Sequence, residues 1–141
     1  MNSKKSQDLK FGSANEKKLL EVFRQYFKSD TINKTTDCYD QYDYIDTKNK
    51  IIIELKSRRI RKLQYPDTMI GLNKITEGFK HIKNGYTVYL CWSYTDGLSF
   101  YELTKDTYNT NWERMGGRWD RGINERCMCC FIPTNIMTDI N

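Results

Sequence analysis

Tyr39-Asp40-Gln41-Tyr42-Asp43-Tyr44-Ile45-Asp46-Thr47-Lys48-Asn49-Lys50-Ile51-Ile52-Ile53-Glu54-Leu55-Lys56-Ser57 is the stretch on which the fold turns. β-branched and aromatic residues crowd its two halves, 39–46 and 50–57, and the turn-prone Thr47-Lys48-Asn49 separates them, so the pattern predicts a hairpin. Folding it there opposes Asp46 to Ile51, Ile45 to Ile52, Tyr44 to Ile53 and Asp43 to Glu54. Opposed residues hold their Cβ atoms about 4.5–5.5 Å apart, where like charges destabilise the sheet unless a cation lies between them. Strand alternation puts Ile52, Glu54 and Lys56 on one face and Ile51, Ile53 and Leu55 on the other. Asp40 and Asp46 have the opposite parity from Asp43 and are expected to point away from it.

Two adjacent carboxylates with a lysine on the same face make a recognisable chemical unit. Mg²⁺ takes hard oxygen ligands, usually one or two carboxylates with phosphate and water completing its octahedron. Asp43 and Glu54 are the expected ligands, with Mn²⁺ able to substitute. Such an ion lowers the pKa of bound water and neutralises charge on a phosphate, and Lys56 is placed to orient that water or stabilise a pentavalent transition state.

Outward from the hairpin, Ser13 and Glu16 have capping-box spacing, and Glu16, Leu20, Phe23 and Phe27 continue one stripe, predicting a helix over about 14–28. Residues 30–37 are polar and expected to form a loop. Pro66, the stripe Leu72, Ile75, Phe79 and Ile82, and Gly85 just past the end predict a second helix over about 67–83. Strands are expected at 86–93 and 98–103 around Asp96-Gly97, and at 126–132, with 104–124 irregular. At 141 residues without a linker or a repeat, the chain is expected to form one domain over 1–141, an α/β sheet with helices packed on it.

Asp43 followed by Ile51-Ile52-Ile53-Glu54-Leu55-Lys56-Ser57-Arg58 resembles the D-x(n)-E-x-K signature of the PD-(D/E)XK nuclease superfamily, and the order of elements resembles its core over about residues 11–103. Tyr42 stands where that family often has proline. The resemblance implies a restriction-endonuclease-like αβββαβ core, a mixed central sheet flanked by helices, with 104–141 as a C-terminal extension. It implies a metal-dependent endonuclease hydrolysing nucleic-acid backbone, DNA rather than RNA, in the manner of a junction resolvase and as a homodimer. It also implies that Glu16 on the first helix joins the metal site, and that Lys74, with Asn73 as the neighbouring candidate, is the lysine or glutamine that family members often place on the second helix, here in a nucleic-acid-binding role. Two other readings stay open: a nuclease fold that binds nucleic acid or protein without cutting, and an unrelated α/β interaction protein.

The remaining features fit around that site. Arg58, Arg59, Arg61 and Lys62 follow the lysine and are expected to hold phosphates; all four doing so on duplex DNA would give a log-affinity against log-salt slope of about −3.6. A net charge of +5 and 13% aromatic residues suit a nucleic-acid partner. The segment from Trp112 to Arg121 could stack on unpaired bases, although a connection closing over the core is the plainer reading. Five cysteines in C-x-C-C and scattered positions lack zinc-knuckle spacing and are expected to be reduced, buried thiols. No long apolar run or secretory leader is evident, so a soluble intracellular protein without membrane contact is expected. His81, the single histidine, is expected at solvent or at the helix end and offers no catalytic pair.

Overall fold

The computed structural model describes residues 18–35, 42–104, 107, 113–116 and 127–140. In chain order its elements are helix α1 (18–26), β1 (Asn33–Lys34), β2 (Tyr44–Asp46), β3 (Ile51–Ser57), β4 (Asp67–Gly71), α2 (Leu72–Lys83), β5 (Thr87–Tyr94), β6 (Gly97–Leu103), β7 (Glu113–Gly116), β8 (Cys127–Pro133) and β9 (Thr138–Ile140). Six strands form the central sheet in the order β1-β2-β3-β5-β6-β9, and β4-β8-β7 form a second, three-stranded sheet. β3 pairs antiparallel with β2 and parallel with β5, so the central sheet is mixed. The crossover from β3 to β5 passes through β4 and α2.

Alternation along β3 and β5 divides the core in two. Ile52, Val88, Leu90, Trp92 and Tyr94 face α2 and the small sheet, where Ile70, Ile75, Cys130 and Ile132 meet them. Ile53, Leu55 and Cys91 face α1, packing with Leu19, Phe23 and Tyr44. The Phe23 and Tyr44 rings meet edge to face at 5.1 Å. Burying each such side chain contributes about 1.5–3 kcal/mol, and because both faces of β3 are covered, a one-residue slip would exchange Ile52 and Ile53 between the two cores and turn Glu54 into the α1-side core.

The second helix begins at Leu72 rather than at 67. Asp67–Gly71 instead pairs with β8, from Asp67 opposite Pro133 to Gly71 opposite Cys129. Proline before an apolar stripe signals a helix start, but here a strand partner from the far end of the chain captures the first five residues. β9 is equally invisible to periodicity, since Thr138–Ile140 joins the sheet by pairing with the sequence-distant Leu98–Phe100. β1 within the expected 30–37 loop is likewise a two-residue pairing with β2. α2 ends as expected, with Gly85 at φ +90 donating its N–H to the Ile82 carbonyl, a conformation glycine adopts without penalty. No helix among the described residues is long and apolar enough to cross a membrane.

Asp46 explains why the hairpin turn is fixed. It is fully buried and faces away from Glu54. Its carboxylate accepts hydrogen bonds from the Ser29 hydroxyl, from Thr31 Oγ1 at 2.7 Å, and from the backbone N–H groups of Lys48 and Asn49 at 3.0 Å. Burial alone would raise its pKa, but the bonds from Ser29, the Asn49 backbone and Thr31 outweigh it and hold the pKa at about 2. A depressed carboxylate pKa adds stability above the ordinary value of 3.8 that disappears as pH falls toward the folded value. Asp46→Ala is therefore expected to cost about 2 kcal/mol or more near neutrality, from donors left without an acceptor, and much less near about pH 2. Urea denaturation at the two pH values checks this.

Candidate active site

The site is built where the β2–β3 ladder stops. Asp46, Ile45 and Tyr44 pair with Ile51, Ile52 and Ile53 in the expected register, but the strand ends one residue before Asp43 would oppose Glu54. Asp43 N–H still donates to the Ile53 carbonyl at 3.2 Å. Its side-chain Oδ2, rather than a backbone oxygen, then accepts the Leu55 N–H at 2.8 Å. The carboxylate thus caps the ladder and is locked beside Glu54. Thr35 fixes the bend from behind: its N–H donates to the Asp43 carbonyl at 2.8 Å and its hydroxyl to the Tyr42 carbonyl at 2.8 Å.

The bend has a second effect. Regular alternation would put Tyr42 beside Tyr44 in the α1-side core, yet Tyr42 lies in the α2-side core. Its hydroxyl donates to the Lys74 carbonyl, and the Lys74 ammonium stands 5.7 Å from its ring centroid. Burial, with Glu54 and Glu77 nearby, raises the Tyr42 pKa, so the phenol stays a donor.

Glu54 is the centre of the arrangement. It is 3% exposed. Its Oε1 lies 3.5 Å from Lys56 Nζ and 3.6 Å from Lys74 Nζ, ion pairs longer than a tight hydrogen bond. Its Oε2 is buried and accepts no hydrogen bond. Burial and the neighbouring Asp43 charge raise its pKa against the pull of Lys56 and Lys74, to about 7. Two carboxylates forced together, one with an orphaned buried oxygen, present the hard-oxygen donor set that a Mg²⁺-sized cation takes. Among the described residues no cluster holds three or more histidine, cysteine or acidic groups, and two carboxylates are sufficient for an ion whose other ligands are water and phosphate.

The structure brings Asp43, Glu54, Lys56 and Lys74 together. Lys56 reaches the site from β3 itself, opposite Trp92, and Lys74 from the first turn of α2. Asn73 is exposed, with its Oδ1 beside Gly71. Glu16, Asp40 and Cys38 lie outside the described residues, as do Trp112 and 117–121 of the Trp112–Arg121 segment, where 113–116 form β7. In the basic run the four cations diverge. Arg58 turns inward, with Nη2 3.4 Å from the Met69 carbonyl, and burial lowers its pKa against the influence of Tyr94. Lys62 Nζ pairs with Asp139 at 2.6 Å. Arg59 and Arg61 are exposed. Cys91, Cys129 and Cys130 are buried thiols outside any disulfide. His81 is half-buried between Tyr42 and Tyr86, with ring centroids 5.5 and 5.9 Å away.

Tyr42 and Gly78 are the positions that residue reasoning missed. The available signal was the small-residue stripe Gly71-Lys74-Gly78, which marks a helix face that another group approaches closely. A Cβ on Gly78 would press against Leu103 and lie 2.7 Å from the Tyr42 hydroxyl oxygen. Helix propensity alone favours alanine over glycine by about 1 kcal/mol. Gly78→Ala is nonetheless expected to destabilise by about 1–3 kcal/mol, because overpacking a core contact outweighs propensity. A lowered urea midpoint with unchanged slope would show it.

Residues 8–139 match the family model described as "Phage putative PDDEXK endonuclease". A search of curated proteins returns no match. The family match spans nearly the whole chain. The chain therefore belongs to the phage PDDEXK endonuclease family.

Proposed function

We propose that the protein is a divalent-metal-dependent endonuclease that hydrolyses nucleic-acid backbone, DNA in preference to RNA, at the cluster of Asp43, Glu54 and Lys56. The observation that carries this reading is the buried Glu54 carboxylate pressed against Asp43, its pKa raised by burial and by the neighbouring acid. Asp43 and Glu54 would hold Mg²⁺ or Mn²⁺, which supplies acidified water and neutralisation of phosphate charge when bound.

The chain's own groups do the rest. Leu55 N–H and the ladder fix Asp43, so its carboxylate needs no reorganisation as substrate arrives. The Lys56 ammonium, about one-third exposed, faces the open side of the site, where it orients the attacking water and meets charge developing on the phosphorus oxygens. The attacking water gives up a proton as its oxygen bonds to phosphorus, one P–O ester bond breaks, and the departing alkoxide takes up a proton, so the hydrolysis balances. Lys74, held through its carbonyl by Tyr42, adds a second positive charge on the α2 side. Glu16 remains a proposed additional ligand from the first helix, and a homodimer a proposed assembly.

The test is cleavage of labelled plasmid, single-stranded DNA, four-way junction and RNA with Mg²⁺, Mn²⁺ or EDTA. Metal-dependent cutting of DNA, absent in EDTA, is the expected result. Failure of the wild type to cut any of them, with salt-sensitive binding intact, would replace the nuclease with a binding module on the same fold.

A further inference from the structure

Residues 58–66 connect β3 to β4 immediately after Lys56, and they are fixed at several points. Arg58 N–H donates to the Ser93 carbonyl at 2.8 Å, Thr95 N–H to the Ile60 carbonyl at 3.0 Å, and Thr134 N–H to the Pro66 carbonyl at 3.0 Å. The Lys62 N–H donates to Asp96 Oδ1 at 3.0 Å while its ammonium pairs with Asp139. Ile60 packs on the α2-side core. This pinned segment nevertheless presents Leu63 at 77% exposure and Tyr65 at 55%. A leucine on a loose loop tip needs no explanation, but apolar groups held out by a fixed backbone form an organised surface. Arg59 and Arg61 are exposed on the same segment, and Arg61, Leu63, Gln64 and Asp96 line one shallow cleft.

The exposed guanidinium groups on this segment complement phosphate, and Leu63 and Tyr65 complement base faces. We infer that Leu63 and Tyr65 form a wedge that fills a broken stacking step in duplex DNA, with Arg59 and Arg61 on the adjoining phosphates. The substrate class that follows is a duplex interrupted by a bulge, mismatch or branch. Opening a step in continuous duplex costs stacking energy, whereas an interruption has already lost it. The inference rests on the nuclease reading for its partner and adds to it the feature that selects the substrate.

The test uses the full chain in EDTA, with two DNA duplexes of equal length, one continuous and one carrying a two-base bulge flanked by 2-aminopurine. Wild type is expected to bind the bulged duplex about tenfold more tightly, the scale of one base–aromatic stack, and to change the 2-aminopurine emission. Leu63→Ser with Tyr65→Ser should erase both the preference and the emission change and leave affinity for continuous duplex within about twofold, since the phosphate contacts remain. Its urea midpoint should equal that of the wild type, because both side chains are exposed. Arg61→Ala should weaken both duplexes alike and reduce the salt slope by about 0.9. An unchanged preference in the double variant overturns the wedge. So does a wild-type dimer, seen by sedimentation, that the double variant converts to monomer, for the surface would then be a protein interface. A preference that persists in a chain that cuts nothing with Mg²⁺ would uphold the wedge and sink only the nuclease.

Discussion

Glu54→Gln is expected to abolish metal-dependent cleavage, by about 10³-fold or more, while making the metal-free protein more stable at mildly alkaline pH. The two effects have one cause. Glu54 is buried against Asp43 with an oxygen that accepts no hydrogen bond, and its pKa is raised from 4.5 to about 7, by burial first and by the Asp43 charge second. A carboxyl whose folded pKa exceeds its unfolded value keeps a proton in the native state that the unfolded chain has lost. Stability therefore falls as pH rises from about 4.5 to about 7 and stays low above it, by up to about 3 kcal/mol. An amide of the same shape carries no charge to desolvate and turns an N–H toward the Asp43 carboxylate. Urea denaturation in EDTA should show the variant gaining stability over wild type above about pH 7 and losing the wild-type slope below it. Mg²⁺ should raise the wild-type Tm and leave that of the variant unchanged. Cutting retained by the variant, or no gain in its stability at about pH 8, would show that Glu54 is not the strained ligand described above.

How much of this was legible in the residues follows from how local each feature is. The β2–β3 register was readable because it depends on a turn of three residues and on apolar alternation, both of which lie within one short stretch. Glu54 and Lys56 follow from it directly. Asp43 comes to lie beside Glu54 by a route other than the strand alternation that suggested it. Its carboxylate takes the ladder's next hydrogen bond instead of lying on a paired strand, and Tyr42 leaves the expected face at the same bend. Parity did hold for Asp46, which faces Ser29 and Thr31.

What sequence periodicity could not reveal was long-range pairing. β4 resembles the first turn of a helix until Cys127–Pro133 pairs with it, and β9 has only three residues, too few for a pattern. Both additions bear on the site. β4 delays the start of α2 to Leu72, which sets Lys74 in the first turn, 3.6 Å from Glu54. β9 brings Asp139 to Lys62 and takes that lysine out of the set of cations facing solvent. Side-chain charge alone read the basic run as four equivalent grips, whereas Arg58 is partly buried, Lys62 pairs with Asp139, and Arg59 and Arg61 are exposed.

Lys56→Ala is expected to slow cleavage by about 10²–10³-fold and to move the acid limb of the pH–rate profile to higher pH. The direction of that shift follows from the charges around Glu54. Burial and Asp43 raise its pKa, and the ammonium groups of Lys56 and Lys74 oppose them. Removing Lys56 lets the pKa climb above about 7, so a smaller fraction of Glu54 is ionised at a given pH and able to hold a cation. Lys74→Ala should shift the limb in the same direction, since its Nζ stands at nearly the same distance from Oε1. Its rate loss at saturating pH should be smaller, because Lys74 is the more enclosed of the two, tied back to the Tyr42 ring. Lys56→Arg separates the two roles. The retained charge should leave the limb near its wild-type position, while a planar guanidinium cannot place a single donor as an ammonium does, so the plateau rate should still fall. A Lys56→Ala profile with a lowered plateau and an unmoved limb would mean that Lys56 acts on the reacting phosphate without tuning Glu54; an unmoved limb and an unchanged plateau would remove Lys56 from the site altogether.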